Sequence, residues 1–197
     1  MESNNYKTRM TLLAKLRDQH DDAAWTDFVY YYRKYVYNIA RRMQLGHDAA
    51  EEVVQIVMIQ SWKKLPDFQY DPSKGRFRGW LCRVTGNAVK NYYRDNQKRF
   101  VELDPDSTFS DELVTMPEIQ RIAEEEWREY LPKLAWKNIQ KHFDDNVKRV
   151  FNMLQDGKSI ADIATKAGIA ESSVYVYRKR IQDRLRAEII RLEKELG

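Results

Sequence analysis

The stretch Ile160-Ala-Asp-Ile-Ala-Thr-Lys-Ala-Gly-Ile-Ala-Glu-Ser-Ser-Val-Tyr-Val-Tyr177 decides the reading of the chain. Three positions in it are sterically special. Ala164 falls where two short helices must touch, and a larger side chain there would push them apart. Gly168 falls at the turn between them, where a positive φ is accessible without a Cβ penalty. Val174, with Ile163 and Ile169, fills the small core the helices enclose. The spacing predicts helices over Ile160–Ala167 and Glu171–Glu195, the second capped by Ser172 or Glu171. This is the pattern of a helix-turn-helix. Its second helix carries Tyr175, Arg178, Lys179, Arg180 and Arg184, a basic and aromatic surface of the size that enters a major groove. On this reading Ser172, Ser173, Tyr175, Val176, Lys179 and Arg180 form the base-reading face, while Arg178 and Arg184 reach phosphate. A plain helical hairpin with a solvated basic face is the competing reading.

Working outward, the whole composition agrees with helices. The chain has 197 residues, 43% apolar and 32% charged, with only 7 Gly and 5 Pro, too few turn formers for a strand-and-turn protein. No apolar run approaches the roughly 20 residues of a membrane span. The opening MESNNYKTRM has no apolar stretch behind its charges, unlike a secretory signal. A lone cysteine, Cys82, fits a reducing, cytoplasmic compartment. His20, His47 and His142 show no metal-ligand spacing with it, so no metal or cofactor is expected. The net charge of +4 hides two basic blocks around an acidic one. Residues 1–99 carry +7, residues 100–131 carry −8 and residues 132–197 carry +5. Basic blocks suit polyanionic partners; the acidic block reads as a linker able to compete with nucleic acid.

In the N-terminal half, a short amphipathic helix is expected over Tyr6–Gln19, through Met10, Leu13 and Leu16. A second runs from about Ala24 to Gln44 on the stripe Trp25, Phe28, Tyr32, Val36, Ile39 and Met43, and Gly46 ends it. A third runs from Asp48, its cap, to about Leu65, with Glu51 completing a capping box. Val53, Val54, Ile56, Val57, Met58 and Ile59 make that helix apolar nearly all round, so it is buried on several sides or docks a partner. Glu51, Glu52, Gln55 and Gln60 are its polar groups. Asp67–Gly75 has turn chemistry. A fourth helix follows from about Phe77 to Arg94. Between Lys74 and Arg99 there are eight basic residues and one acidic.

That helix carries Arg83. Asn87, Lys90 or Asn91, and Arg94 recur in it at three or four and share a face, and cations with amides and rings suit unpaired DNA. Lys74 and Arg76 precede them. Phe68, Gln69 and Tyr70 in the loop offer rings and an amide to a base taken out of the stack. Trp62, Trp80 and Leu81 are expected in the core, and Tyr30–Tyr32 in the core or its rim. Val101–Met116 has no period and marks a domain boundary. Helical patterns resume near Pro117, with Pro132 interrupting or restarting them, and continue over Lys133–His142 and Asp145–Gln155. The expected fold is all-α, with two helical domains at 24–99 and 132–197, a helical extension at 1–23 and an acidic linker at 100–131.

Taken in order, three blocks resemble region 2 of bacterial sigma factors: Phe28-Val-Tyr-Tyr-Tyr-Arg-Lys-Tyr, Ala50-Glu-Glu-Val-Val-Gln-Ile-Val-Met-Ile-Gln-Ser-Trp62, and Phe77-Arg-Gly-Trp-Leu-Cys-Arg-Val-Thr-Gly-Asn87. The helix-turn-helix resembles their region 4. The short length and the lack of a region 3 domain are similar to the extracytoplasmic-function (ECF) group of the sigma-70 family. The resemblance implies a transcription initiation factor with no active site of its own. Glu51, Glu52, Gln55, Ile56 and Gln60 would then dock on the β′ clamp helices of core RNA polymerase, with the β subunit a further contact. Phe68, Gln69, Tyr70, Lys74, Arg76, Arg83, Asn87, Lys90, Asn91 and Arg94 would read and melt the minus-ten promoter element.

On the same resemblance, the helix from Ser172 would read the minus-thirty-five element, and the acidic stretch would thread toward the RNA exit path. An anti-sigma factor is a common regulator in that group. Ile56 stands where an acidic residue is frequent in the family, and Val176 and Tyr177 where a small polar residue and Arg are frequent. Three rivals make different demands. A stand-alone helix-turn-helix regulator requires a symmetric dimer and a palindromic site. A nuclease or metal hydrolase requires clustered carboxylates or His. An adaptor would bind polymerase without reading DNA.

Overall fold

The computed structural model describes residues 12–68, 77–103 and 115–196. Among them the structure is helical without a strand: α1 Asp22–Arg42, α2 His47–Lys64, α3 Phe77–Leu103, α4 Met116–Ile139, a 3-10 turn at Gln140–His142, α5 Asp145–Gln155, α6 Ile160–Ala167 and α7 Glu171–Leu196. The all-α expectation holds. No helix among the described residues is long and apolar enough to cross a membrane. The chain divides into two compact units, Met1–Glu129 with Lys194–Gly197, and Tyr130–Glu193.

In the first unit, α1 starts where the Asp21 carboxylate accepts from the Ala24 N–H at 3.0 Å, satisfying an orphan donor. Its buried face carries Phe28, Tyr32, Tyr35, Val36 and Ile39. The helix does not end on Gly46. Gln44 takes the left-handed conformation, φ +67°, and the Leu45 N–H donates to the Ala40 carbonyl, closing the last turn in the Schellman manner. Gly46 is extended and precedes α2 as its cap. Asp48 therefore lies inside the first turn, where its charge faces the positive end of the helix dipole. Glu51 makes no capping box and pairs with Arg33 at 2.5 Å.

One face of α2 is buried, through Ala50, Val53, Val54, Val57 and Ser61. Trp62, expected in the core, falls off that face and is 43% exposed; Ile59 is 53% exposed. At the start of α3, Phe77 packs against Phe28, Tyr32, Phe68 and Trp80, with ring centroids 5.3–6.3 Å away. Trp80 is half-buried in this cluster and Leu81 is fully buried.

The acidic segment is helical from Met116, and its first part packs within this same unit. Ile119, Ala123 and Trp127, at steps of four, are buried. The Tyr35 hydroxyl donates to the Ala123 carbonyl at 3.1 Å, and its ring meets Trp127 edge-on at 5.2 Å. Burial holds the Tyr35 hydroxyl far above its ordinary pKa. Arg78 lies 4.9 Å from the Trp127 ring centre and pairs with Glu124 at 2.7 Å. Arg42 pairs with Glu125, Glu126 and Glu129, and Glu126 also accepts from Asn38 at 2.5 Å.

These carboxylates hold the Arg42 guanidinium above its usual range, chiefly through the Glu129 hydrogen bond. Magnitudes decide what holds the segment. Burying a side chain such as Ile119 contributes about 1.5–3 kcal/mol, while exposed ion pairs such as that of Glu129 contribute about 0–1 kcal/mol. The apolar stripe, not the charge, seats this helix.

In the second unit, Asp144 caps α5 by accepting from the Val147 N–H at 2.9 Å. Ser159 caps α6 by accepting from the Asp162 N–H at 3.1 Å. Gly168 closes α6 at φ +67°. Pro132, expected to interrupt or restart a helix, lies inside the 24-residue α4, which runs through it. Its ring removes one N–H from the ladder, and the neighbouring bonds carry the helix on.

Candidate nucleic-acid interface

The helix-turn-helix is built from a small core of Val150, Met153, Ile163, Ala164 and Val174. Ala164 is buried in that core, and the Ile169 N–H donates to its carbonyl at 3.1 Å across the turn. The Arg149 guanidinium donates to the Lys166 carbonyl, tying α5 to the end of α6. A second cluster, Ile139, Phe143, Val147 and Ile181, seats the middle of α7. Neither Ser172 nor Glu171 caps α7. The helix begins at Glu171, and the Ala170 carbonyl already accepts from the Ser173 and Val174 N–H groups, so both residues lie in the first turn.

With Val174 and Ile181 anchored inward, the opposite face of α7 follows at about 100° per residue. It presents Ser172, Tyr175, Val176 and Lys179, with Tyr175 56% and Val176 61% exposed. Lys179 pairs with Asp183 at 3.5 Å, an exposed i,i+4 contact. Arg186 falls on the same exposed face, eleven residues after Tyr175, and that spacing was the signal sequence reasoning passed over. Arg178 is exposed and Ser173 half-buried. Arg180 and Arg184 lean on the Phe143 ring, with centroid distances of 5.5 and 5.7 Å, so both guanidinium groups stand at the flank of this face. Lower on α7, Arg191 and Asn138 both donate to Glu188 and hold its carboxyl below the usual range, the Arg191 bond first.

On the first unit, α3 lines up Arg83, Asn87, Lys90 and Arg94 along one stripe. Arg83, Asn87 and Arg94 are exposed and Lys90 is half-buried. Tyr93 supports the helix from behind, its hydroxyl donating to the Met43 carbonyl at 2.7 Å, and burial raises that phenol's pKa. Gln69, Tyr70, Lys74 and Arg76 lie outside the described residues. Phe68 is half-buried, 5.2 Å from Trp80 and 5.8 Å from Phe77, so its ring is part of the aromatic cluster.

The α2 residues separate. Glu52 and Ile56 line a cleft of about 410 Å³ with Ala88, Asn91, Tyr92, Asp95 and Asn96 of α3. The fold thus joins Asn91 to Glu52 and Ile56, which the sequence had assigned to different surfaces. Gln55 is exposed and Gln60 half-buried. Ile59 and Trp62 extend the exposed side of α2 as apolar groups; the all-round hydrophobicity of the helix was the signal for them. Among the described residues there is no group of three or more His, Cys, Asp or Glu that could hold a metal.

Residues 28–99 match the family described as Sigma-70 region 2. Residues 148–190 match that described as bacterial regulatory proteins, luxR family. No curated protein matches the chain. Among solved structures, the chain is similar to that of CnrH in complex with the cytosolic domain of CnrY. The identity is 20% over 91% of this chain and 95% of that chain, with a TM-score of 0.38.

Proposed function

We propose that this chain, whose residues 28–99 match Sigma-70 region 2 and whose residues 148–190 match a regulatory DNA-binding family, acts as a transcription initiation factor of the ECF group of the sigma-70 family. Its partners are core RNA polymerase and promoter DNA. The finer assignment is ours. Residues 24–99 form the region 2-like part and residues 132–197 the region 4-like part. Glu52, Gln55 and Ile56, extended by Ile59 and Trp62, face the β′ clamp helices. The α3 stripe Arg83, Asn87, Lys90 and Arg94 holds the unpaired minus-ten strand, its cations on phosphate and its amide on a base edge. The face of Ser172, Tyr175, Val176 and Lys179 reads the minus-thirty-five duplex, with Arg178, Arg180 and Arg184 toward phosphate. The chemistry belongs to the polymerase. Binding unpaired bases more tightly than paired ones shifts the promoter toward its melted state, with no further step required of this chain. The site of action is the cytoplasm, and an anti-sigma factor is the class of regulator we assign to it.

One observation carries this reading: a region 2 match and a helix-turn-helix match lie in that order on one chain. The luxR-type match alone favours a second reading, a stand-alone regulator, but such a protein has no use for region 2. Run-off transcription with bacterial core polymerase on a library of random promoters tests both. Selective initiation, absent with core alone, is expected, and the selected sequences should carry two separated elements. Failure to bind core, with binding to a palindromic site as a dimer, would replace the proposal by the stand-alone regulator.

A further inference from the structure

A carboxylate is the common anchor for a surface cation, but it works against a nucleic-acid contact. It offsets the charge and occupies N–H donors that a phosphate would take. Lys179 is anchored in this way, by Asp183 at 3.5 Å. Arg180 and Arg184 are anchored differently. Among the described residues, neither side chain makes an ion pair or a hydrogen bond. A ring steadies them instead. Their guanidinium carbons stand 5.5 and 5.7 Å from the centre of Phe143, inside the roughly 6 Å at which the negative face of an aromatic ring attracts a cation.

Phe143 is itself held firmly. It is 4% exposed and packs with Ile139, Val147 and Ile181. Its ring stacks on Trp136 of α4, with centroids 5.8 Å apart and planes 23° from parallel. Trp136 stacks in turn on Phe151 of α5, at 3.7 Å and 24°. The rings form a column whose outer end is Phe143, and the two guanidinium groups rest there. Ile181 lies between the arginines in sequence and is buried, so α7 is pinned beside the column. Four residues separate Arg180 from Arg184, about 6 Å along the helix axis, and both face the same ring.

We propose, on the assignment of α7 to the minus-thirty-five duplex, that Phe143 is a positioning residue for promoter binding. Its ring orients Arg180 and Arg184 and leaves their charge and their N–H donors to the phosphates of the duplex. Phe143 does not touch DNA. A guanidinium lying against a ring face keeps its in-plane donors for a phosphate, so both arginines meet the backbone already ordered. An aliphatic side chain would fill the core at 143 and offer no such face, which separates this role from simple packing.

The test uses holoenzyme, the full-length chain with core polymerase, on a promoter recovered by the run-off selection. Affinity is measured between about 50 and 200 mM salt, where each phosphate contact adds about 0.9 to the slope of log K against log salt. The double variant Arg180→Gln with Arg184→Gln should lower the slope by about 1.8. Phe143→Leu should lower it by at least about 1 and weaken binding at least about fivefold at the low-salt end. Phe143→Tyr, which keeps the ring, should retain the parent slope. A merely structural loss reduces the competent fraction, so it weakens binding by one factor at every salt and leaves the slope alone. Added to the double-arginine variant, Phe143→Leu should change the slope no further.

A parent slope in Phe143→Leu, a leucine-like slope in Phe143→Tyr, or a further fall in the double-arginine background would overturn the proposal and leave α7 assigned. Upstream protection unchanged in both Tyr175→Ala and the double-arginine variant would refute the assignment of α7, and the proposal with it.

Discussion

Replacing Gly168 by alanine isolates a purely conformational penalty. The residue sits at φ +67°, and a Cβ built on it meets nothing within 4 Å. Crowding therefore contributes nothing. An L-residue held in the left-handed region loses about 1–2 kcal/mol. Removing glycine from the unfolded chain returns about 0.4–1 kcal/mol. The net expectation is a loss of about 1 kcal/mol. The second unit, Tyr130–Glu193, is small, and for a domain of this size 1 kcal/mol lowers Tm by about 4–8 °C. Differential scanning calorimetry of the full-length chain reads this as a shift of one transition. Gly168→Asn should lose less than half as much, because asparagine tolerates the left-handed region. An alanine variant as stable as the parent, or an asparagine variant worse than alanine, would refute the argument.

Other outcomes follow from other parts of the molecule. Ile119→Ala, at a fully buried position, should destabilise the first unit by about 2–5 kcal/mol, measured by urea denaturation; a loss below 1 kcal/mol would mean the acidic helix is not seated. Glu188, whose folded pKa is lowered, contributes stability that is present above the ordinary carboxylate range and lost as pH falls through its folded value. Thermal scans from pH 7 to pH 3 should therefore show a steeper acid loss in the parent than in Glu188→Gln. Tyr175→Ala should weaken protection of the upstream element in a footprint and spare core binding, whereas Asn87→Ala should spare upstream protection and reduce strand opening.

Legibility in the sequence tracked how local each physical cause was. Ala164, Gly168 and Val174 are steric singularities within a few residues of one another, so the helix-turn-helix could be read directly. The α1 stripe had enough periods to be unmistakable. Caps were less secure: Gly46 looked like a terminator, yet Gln44 took the positive φ and the glycine opened the next helix. Trp62 reads as a core residue in the sequence, but α2 offers the core only one face and Trp62 falls off it. The start of α4 was obscured by its own charge. Ile119, Ala123 and Trp127 carried a clean four-residue period beneath the carboxylates, and their partners Tyr35, Arg78 and Gly86 lie too far away in sequence to be anticipated. Arg180 was grouped with the readers because nothing local revealed Phe143 beneath it.

Arg42 is ringed by three carboxylates, one of which, Glu125, also pairs with Arg121 at 2.7 Å, and two guanidinium groups leave one negative charge unbalanced. That edge of an otherwise basic unit is therefore electronegative. On the assignment of α3 as the strand-binding helix, a polyanion approaching the first unit would meet repulsion at this edge and attraction along Arg83, Lys90 and Arg94. Orientation would then be set by exclusion as well as by attraction.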